Sequence, residues 1–150
     1  MRISAFNALA AIAAVIIAGA VLVNWVSEPS CIPLNGLHTL RVELDELVPG
    51  KVRAFCYRDH AGERLRFLLA RDSTGKVHAV FDACRDCYKF HKGYNYSHGY
   101  LICQFCGNRY PIKNIAAGEA SCVPVPLAHR MTSGQVTIKV ADIMAGQRLF

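Results

Sequence analysis

Beyond residue 30 the chain has no long amphipathic helical window, no low-complexity tract and no internal repeat apart from two cysteine pairs. That composition excludes a helical bundle, a solenoid or a disordered tail as the main architecture. The sequence also lacks a Ser/His/Asp grouping, a phosphate-cradling glycine loop and a two-histidine helical motif, so hydrolytic chemistry has no residues to carry it. No stretch interleaves basic and aromatic residues as nucleic-acid modules do, and nucleic acid is not expected as a partner. Acidic residues are the minority, 11 against 17 Lys and Arg, and the resulting charge of +6 lies almost wholly beyond residue 40. A basic body of this kind favours an anionic membrane or an acidic partner.

What is present begins with an apolar run. Ala5 to Val26 reads AFNALAAIAAVIIAGAVLVNWV without a formal charge, and as a helix it would cross roughly 30 Å of hydrocarbon. Trp25 falls where an indole would meet the membrane interface. Arg2 gives a positive start, but the run exceeds a signal peptide's apolar core and no small-x-small cleavage site stands directly before Ser27-Glu28-Pro29, where Asn24-Trp25-Val26 lie. The expectation is an uncleaved anchor over 1–27, a linker over 28–37 and a folded body over 38–150. Arg2 on one side, with no Lys or Arg until Arg41 on the other, orients the amino terminus to the cytoplasm. The protein is therefore expected in the cell inner membrane, single-pass, with its body periplasmic or otherwise extracytoplasmic.

The body reads as strands. HTLRVEL alternates Leu40, Val42 and Leu44 with polar neighbours, and KVRAFCYR, ERLRFLLAR and KVHAVFDA follow, joined by the turn sequences DHAG and DSTG. GYLICQF and QVTIKVADI supply two more strands, with a helical turn near Asp142 to Gly146. Short turns between strands dictate antiparallel hairpins. The expected fold class is mainly β: one N-terminal transmembrane helix, then a small antiparallel sheet domain bearing a Cys-x-x-Cys/Cys-x-x-Cys metal-binding knuckle region.

Seven cysteines cannot all pair within one molecule. Cys84-x-x-Cys87 and Cys103-x-x-Cys106 stand fifteen residues apart, within the spacing of a four-cysteine metal site. A two-residue spacer lets both thiolates of a pair face one ion, and two pairs close a tetrahedron. Gly107 suits the tight backbone bend after the second pair. The same four thiolates serve zinc, iron or an iron–sulfur cluster; a Rieske centre would need two histidines where each pair here is purely cysteine. Cys122, between Ser121 and Val123, is a fifth ligand, a replacement for one of the four, or a buried or bridged cysteine. Cys31 and Cys56 are free to pair with each other in an oxidising compartment. His91 and His98 lie in the tyrosine-rich loop between the pairs, as do Tyr94, Tyr96 and Tyr100. A thioredoxin-like reading fails because YKFHKGYNYSHG after the first pair has no helical period to lower a thiol pKa.

The motifs FDACRDC, KGY, LICQFCGNRYPI and CVPVPL, from Phe81 to Leu127, resemble the FtrD-like membrane proteins of bacteria, described as iron–sulfur-containing. The order and spacing of the five cysteines fit that pattern, while Ala120-Ser121 before Cys122 and Val123 after it depart from the family's Gly-Gly and Asn. The resemblance implies a component of ferrous-iron uptake that works beside an iron permease or redox partner in the membrane. The chain is then read as a redox or metal-handling component rather than an independent catalyst. Its ligands are expected to be Cys84, Cys87, Cys103 and Cys106, with Cys122 next. They would hold an iron–sulfur cluster or iron, with zinc as the alternative. Two other readings stay open: a zinc-ribbon interaction module without redox role, and an exported thiol-disulfide oxidoreductase.

Overall fold

The computed structural model describes residues 30–115 and 123–150. Among them eleven strands carry the fold: β1 (Ile32–Pro33), β2 (Thr39–Glu43), β3 (Val52–Arg58), β4 (Arg64–Arg71), β5 (Val77–Cys84), β6 (Tyr94–Ser97), β7 (Tyr100–Cys103), β8 (Arg109–Pro111), β9 (Pro124–Pro126), β10 (Arg130–Thr132) and β11 (Gln135–Lys139). One α-helix follows, α1 (Val140–Met144). The strands form three sheets, ordered β1-β3-β4-β5-β9, β10-β11-β2 and β6-β7-β8.

The alternation of side chains explains how these sheets stack. In β4 and β5 the odd positions Leu65, Phe67, Leu69, Val77, Ala79, Phe81 and Ala83 join Leu40, Val42, Val136, Ile138 and Ile143 in one buried cluster. The even positions Leu68, Val80 and Cys84 join Tyr94, Leu101, Cys103, Tyr110 and Ile115 in a second. A period of two sends successive side chains to opposite faces, so the five-stranded sheet is the middle layer and each of its faces carries its own core. This placement is what directs Cys84 toward β6 to β8.

The hairpins read from the sequence are present. β3 pairs antiparallel with β4 from Val52↔Ala70 to Arg58↔Arg64, and β4 with β5 from Phe67↔Phe81 to Arg71↔Val77. Their turns close as expected for Asp: Asp59 Oδ1 accepts from the amides of Ala61 and Glu63, and Asp72 Oδ1 from those of Thr74 and Lys76.

The expected fold class is corrected in one element. Among the described residues no helix is long and apolar enough to cross a membrane. The one α-helix there has five residues, which span roughly 7.5 Å against the 30 Å of a bilayer core. The run from Ala5 to Val26, on which a transmembrane helix was expected, lies outside the described residues. The domain itself is mainly β, but it is three sheets rather than one small antiparallel sheet. β2 leaves the first hairpins and pairs with β11, from Gln135↔Glu43 to Lys139↔Thr39. A 3-10 turn at Leu44–Glu46 and the Pro49-Gly50 bend separate β2 from β3. β1 pairs parallel with β3, Ile32↔Phe55 and Pro33↔Cys56.

Candidate metal centre

The site grows from the end of β5. Cys84 is the last residue of that strand and is 2% exposed; the chain then turns through Arg85 and Asp86, and the Cys87 amide donates to Cys84 Sγ at 2.9 Å. An amide donating to a ligand sulfur is the kind of outer hydrogen bond that tunes a metal–thiolate centre. A 3-10 turn at Tyr88–Phe90 follows, closed by His91 in the left-handed region at φ 49°.

The second cysteine loop is the β7–β8 connection. Cys103 ends β7, its amide donates to the Asn108 carbonyl at 3.0 Å, and its carbonyl accepts from the Gly107 amide at 2.9 Å. Gly107 adopts φ +75°, the bend that its place after the pair foretold. The two loops are tied directly. The Gln104 amide donates to the Gly93 carbonyl at 3.0 Å, and Gln104 Nε2 to the Lys92 carbonyl at 2.8 Å.

These ties bring Cys84, Cys87 and Cys103 together, their Sγ atoms within 4.8 Å of one another. A tetrahedral thiolate site with metal–sulfur bonds near 2.3 Å places its sulfurs about 3.8 Å apart, so the three need only a small adjustment to share one centre. Cys106, on the exposed side of its loop, lies outside that group. Cys122 lies outside the described residues. Soft sulfur donors in this number suit iron, zinc or an iron–sulfur cluster; the residues fit such a group.

A cleft of about 60 Å³ opens against the three cysteines and is lined also by Arg66, Asp82, Tyr88, His91 and Phe105. Asp82, two residues before Cys84 and on the same face of β5, is buried. Its Oδ1 accepts from the Tyr94 amide at 2.7 Å and its Oδ2 pairs with Arg66 Nη2 at 3.0 Å. Burial pushes the Asp82 carboxyl up, while the Tyr94 amide and the Arg66 guanidinium oppose that rise. This pair belongs to no sequence motif. The available signal was alternation, because Arg66 and Asp82 are polar residues at inward positions of two apolar strands.

The other residues singled out in the sequence divide. His91 lines the cleft and is exposed. His98 sits at the β6–β7 turn, where its Nδ1 lies 2.7 Å from Ser97 Oγ. Tyr94 is buried edge-on to Tyr110, with ring centroids 6.1 Å apart, in the core that holds Cys84 and Cys103. Tyr96 donates its hydroxyl to the Gly50 carbonyl, and Tyr100 is exposed. Cys31 and Cys56 form a disulfide.

A family model described as membrane iron-sulfur containing protein FtrD-like matches residues 47–150, more than half of the chain. The protein belongs to this FtrD-like family. The family description and the cysteine cluster together support an iron–sulfur cofactor for the FtrD-like chain. Comparison with curated proteins found no match. Among solved structures, the ferredoxin of carbazole 1,9a-dioxygenase from Nocardioides aromaticivorans IC177 is 20% identical, with 65% of this chain and 91% of that one covered at a TM-score of 0.41. The quaternary ammonium Rieske monooxygenase CntA is 15% identical, with 75% and 32% covered and a TM-score of 0.43.

Proposed function

We propose that this FtrD-like protein is an electron-transfer component associated with a membrane, its body in an oxidising compartment, and that it serves a ferrous-iron permease. The observation that carries the redox reading is the convergence of Cys84, Cys87 and Cys103 at one cleft. These three would hold the centre, with Cys106 as fourth ligand and Cys122 as the next candidate. A bound iron–sulfur group supplies one-electron chemistry. The chain's own part is to hold the sulfurs in place, donate the Cys87 amide to Cys84 Sγ, and bury Cys84 and Cys103 away from water.

Support for an oxidising compartment comes from the Cys31–Cys56 disulfide, since such bridges persist outside the reducing cytosol. Support for membrane association comes from the family description. Service to an iron permease follows from the family resemblance in the cysteine motifs.

The test is purification of the full chain without oxygen, followed by iron, zinc and acid-labile sulfide analysis and a visible spectrum before and after dithionite. Iron with sulfide and a bleachable absorption is expected. Colourless stoichiometric zinc would sink the electron-transfer reading in favour of a structural module, and metal-free protein with reducible Cys-x-x-Cys bridges would point to thiol chemistry. Cys106→Ser and Cys122→Ser, compared by iron content and spectrum, identify the fourth ligand: the variant that loses the centre carries it.

A further inference from the structure

The two cysteine loops are joined at the surface by a pair of aromatic rings. Phe90 ends the 3-10 turn after the first pair, and Phe105 lies inside the second Cys-x-x-Cys. Their rings stack at 3.7 Å between centroids and 7° between planes, yet Phe90 is 41% and Phe105 50% exposed. Tyr88, beside them in sequence, is 38% exposed. Three of the seven large apolar side chains that the described residues expose thus sit on the loops that carry the sulfurs. Tyr88 and Phe105 also line the cleft that opens on Cys84, Cys87 and Cys103.

The rim of this patch is cationic. From Cys84 to Asn108 the sequence holds Arg85, Lys89 and Lys92 against Asp86 alone, and all four are exposed. Lys89 Nζ lies 5.4 Å from the Phe90 ring centre, and Lys92 lines the cleft. Exposed aromatics bordered by a net positive charge mark a surface built to be covered, the rings supplying contact and the charges supplying steering.

We propose that this face, Phe90 and Phe105 with Tyr88, bordered by Lys89 and Lys92, docks an acidic electron-carrier protein. The inference rests on the electron-transfer reading above and names the partner's chemistry at that site. Stacking across the loops also ties the two cysteine-bearing loops together at this face.

Two oxidant–reductant probes test it on the full chain in neutral detergent. In the first, the reduced chain gives up one electron to ferricyanide, which becomes ferrocyanide, and stopped flow reads the bleached absorption returning. The rate is expected to fall by about tenfold or more from low to high salt, and K89E/K92E should slow it by about tenfold at low salt. R41E/R130E, which makes the same change in net charge at exposed positions of β2 and β10, should change it less than about twofold. In the second, a reduced acidic flavodoxin passes one electron to the oxidised chain. Phe90→Ser, which alters the exposed stack but not the cleft lining, should slow this reaction by about tenfold while leaving the ferricyanide rate and the visible spectrum unchanged. Equal effects of the two charge pairs, or salt-independent rates, overturn the docking face alone. A chain with no reducible chromophore overturns the electron-transfer reading and this inference with it.

Discussion

At Gly93 a single hydrogen atom decides whether the site closes. The residue has φ +64°, and a Cβ built on it would stand 2.6 Å from Asp82 Oδ1 and 2.9 Å from Oδ2. Asp82 is fixed from the other side by Arg66 and by the Tyr94 amide, so it has no space to yield. Gly93→Ala should therefore cost about 2–4 kcal/mol, read as a lower urea midpoint. The double variant with Asp82→Ala removes the clash but leaves the Arg66 charge without its partner, so the two costs should fall short of additivity by at least about 0.5 kcal/mol. Strict additivity would show that the loop accommodates a methyl group by moving. Asp72 sets a different dependence at the β4–β5 turn. The Thr74 hydroxyl first, then His78, and the amides of Thr74 and Lys76 hold its carboxyl well below the ordinary carboxylate range. A carboxyl depressed in the folded state contributes stability that is full above its unfolded pKa and is lost as pH falls through and below that value. Urea midpoints measured from pH 6 down to pH 2.5 should fall more steeply in the parent than in Asp72→Asn, the difference opening below about pH 4.

Among the elements, β1 is the one that chain-local forces do not hold. Two residues make too little strand to persist alone, and one of them is Pro33. What keeps it on β3 is the disulfide from Cys31 to Cys56 together with the Leu34 amide, which donates to the Cys56 carbonyl at 2.9 Å. Closing a loop across a separation of 25 residues stabilises the fold by about 3.5 kcal/mol on chain-entropy grounds. Cys31→Ser should show that loss by calorimetry, accompanied by faster amide exchange at Leu34. The same contrast between local and distant forces explains what the sequence made legible. β3, β4 and β5 were readable because KVRAFCYR, ERLRFLLAR and KVHAVFDA are runs rich in Val, Phe, Tyr and Leu separated by the Asp-x-x-Gly turns DHAG and DSTG, all within a short window. β1, β9 and β10 have two or three residues each, with Pro33, Pro124 and Pro126 among them, and no periodicity can emerge from so few positions. The pairing of β2 with β11 joins residues some 90 positions apart, such as Glu43 and Gln135; hydrophobic burial selects that partner, and nothing near Leu40 announces it. At the site, cysteine spacing revealed the sulfurs, because ligand geometry is short-range. The Arg66–Asp82 pair and the Phe90–Phe105 stack are tertiary contacts between separate strands or loops, and so left no local motif.

In the molecule as a whole, the two faces of the middle sheet are stabilised by different means. One face is covered by the sheet of β2, β10 and β11 with α1, through a large aliphatic and aromatic core that includes Leu40, Phe55, Phe67, Val136, Ile138 and Ile143. The other is covered by β6, β7 and β8 through a smaller core in which two of the eight buried members are Cys84 and Cys103. On the proposed function, removing the metal centre would withdraw the bonds that tie these two cysteines across the second core and would leave the first untouched. Local unfolding free energies should therefore separate. After anaerobic chelation, amides of residues 84–108 are expected to exchange faster by at least about tenfold. The paired amides of β2 and β11 should keep their protection, and the far-UV signature of β structure should persist. A uniform loss of protection over both faces would mean that the centre supports the whole domain; unchanged exchange at 84–108 would mean that the hydrogen bonds from Gln104 to Gly93 and Lys92 hold the loops without it.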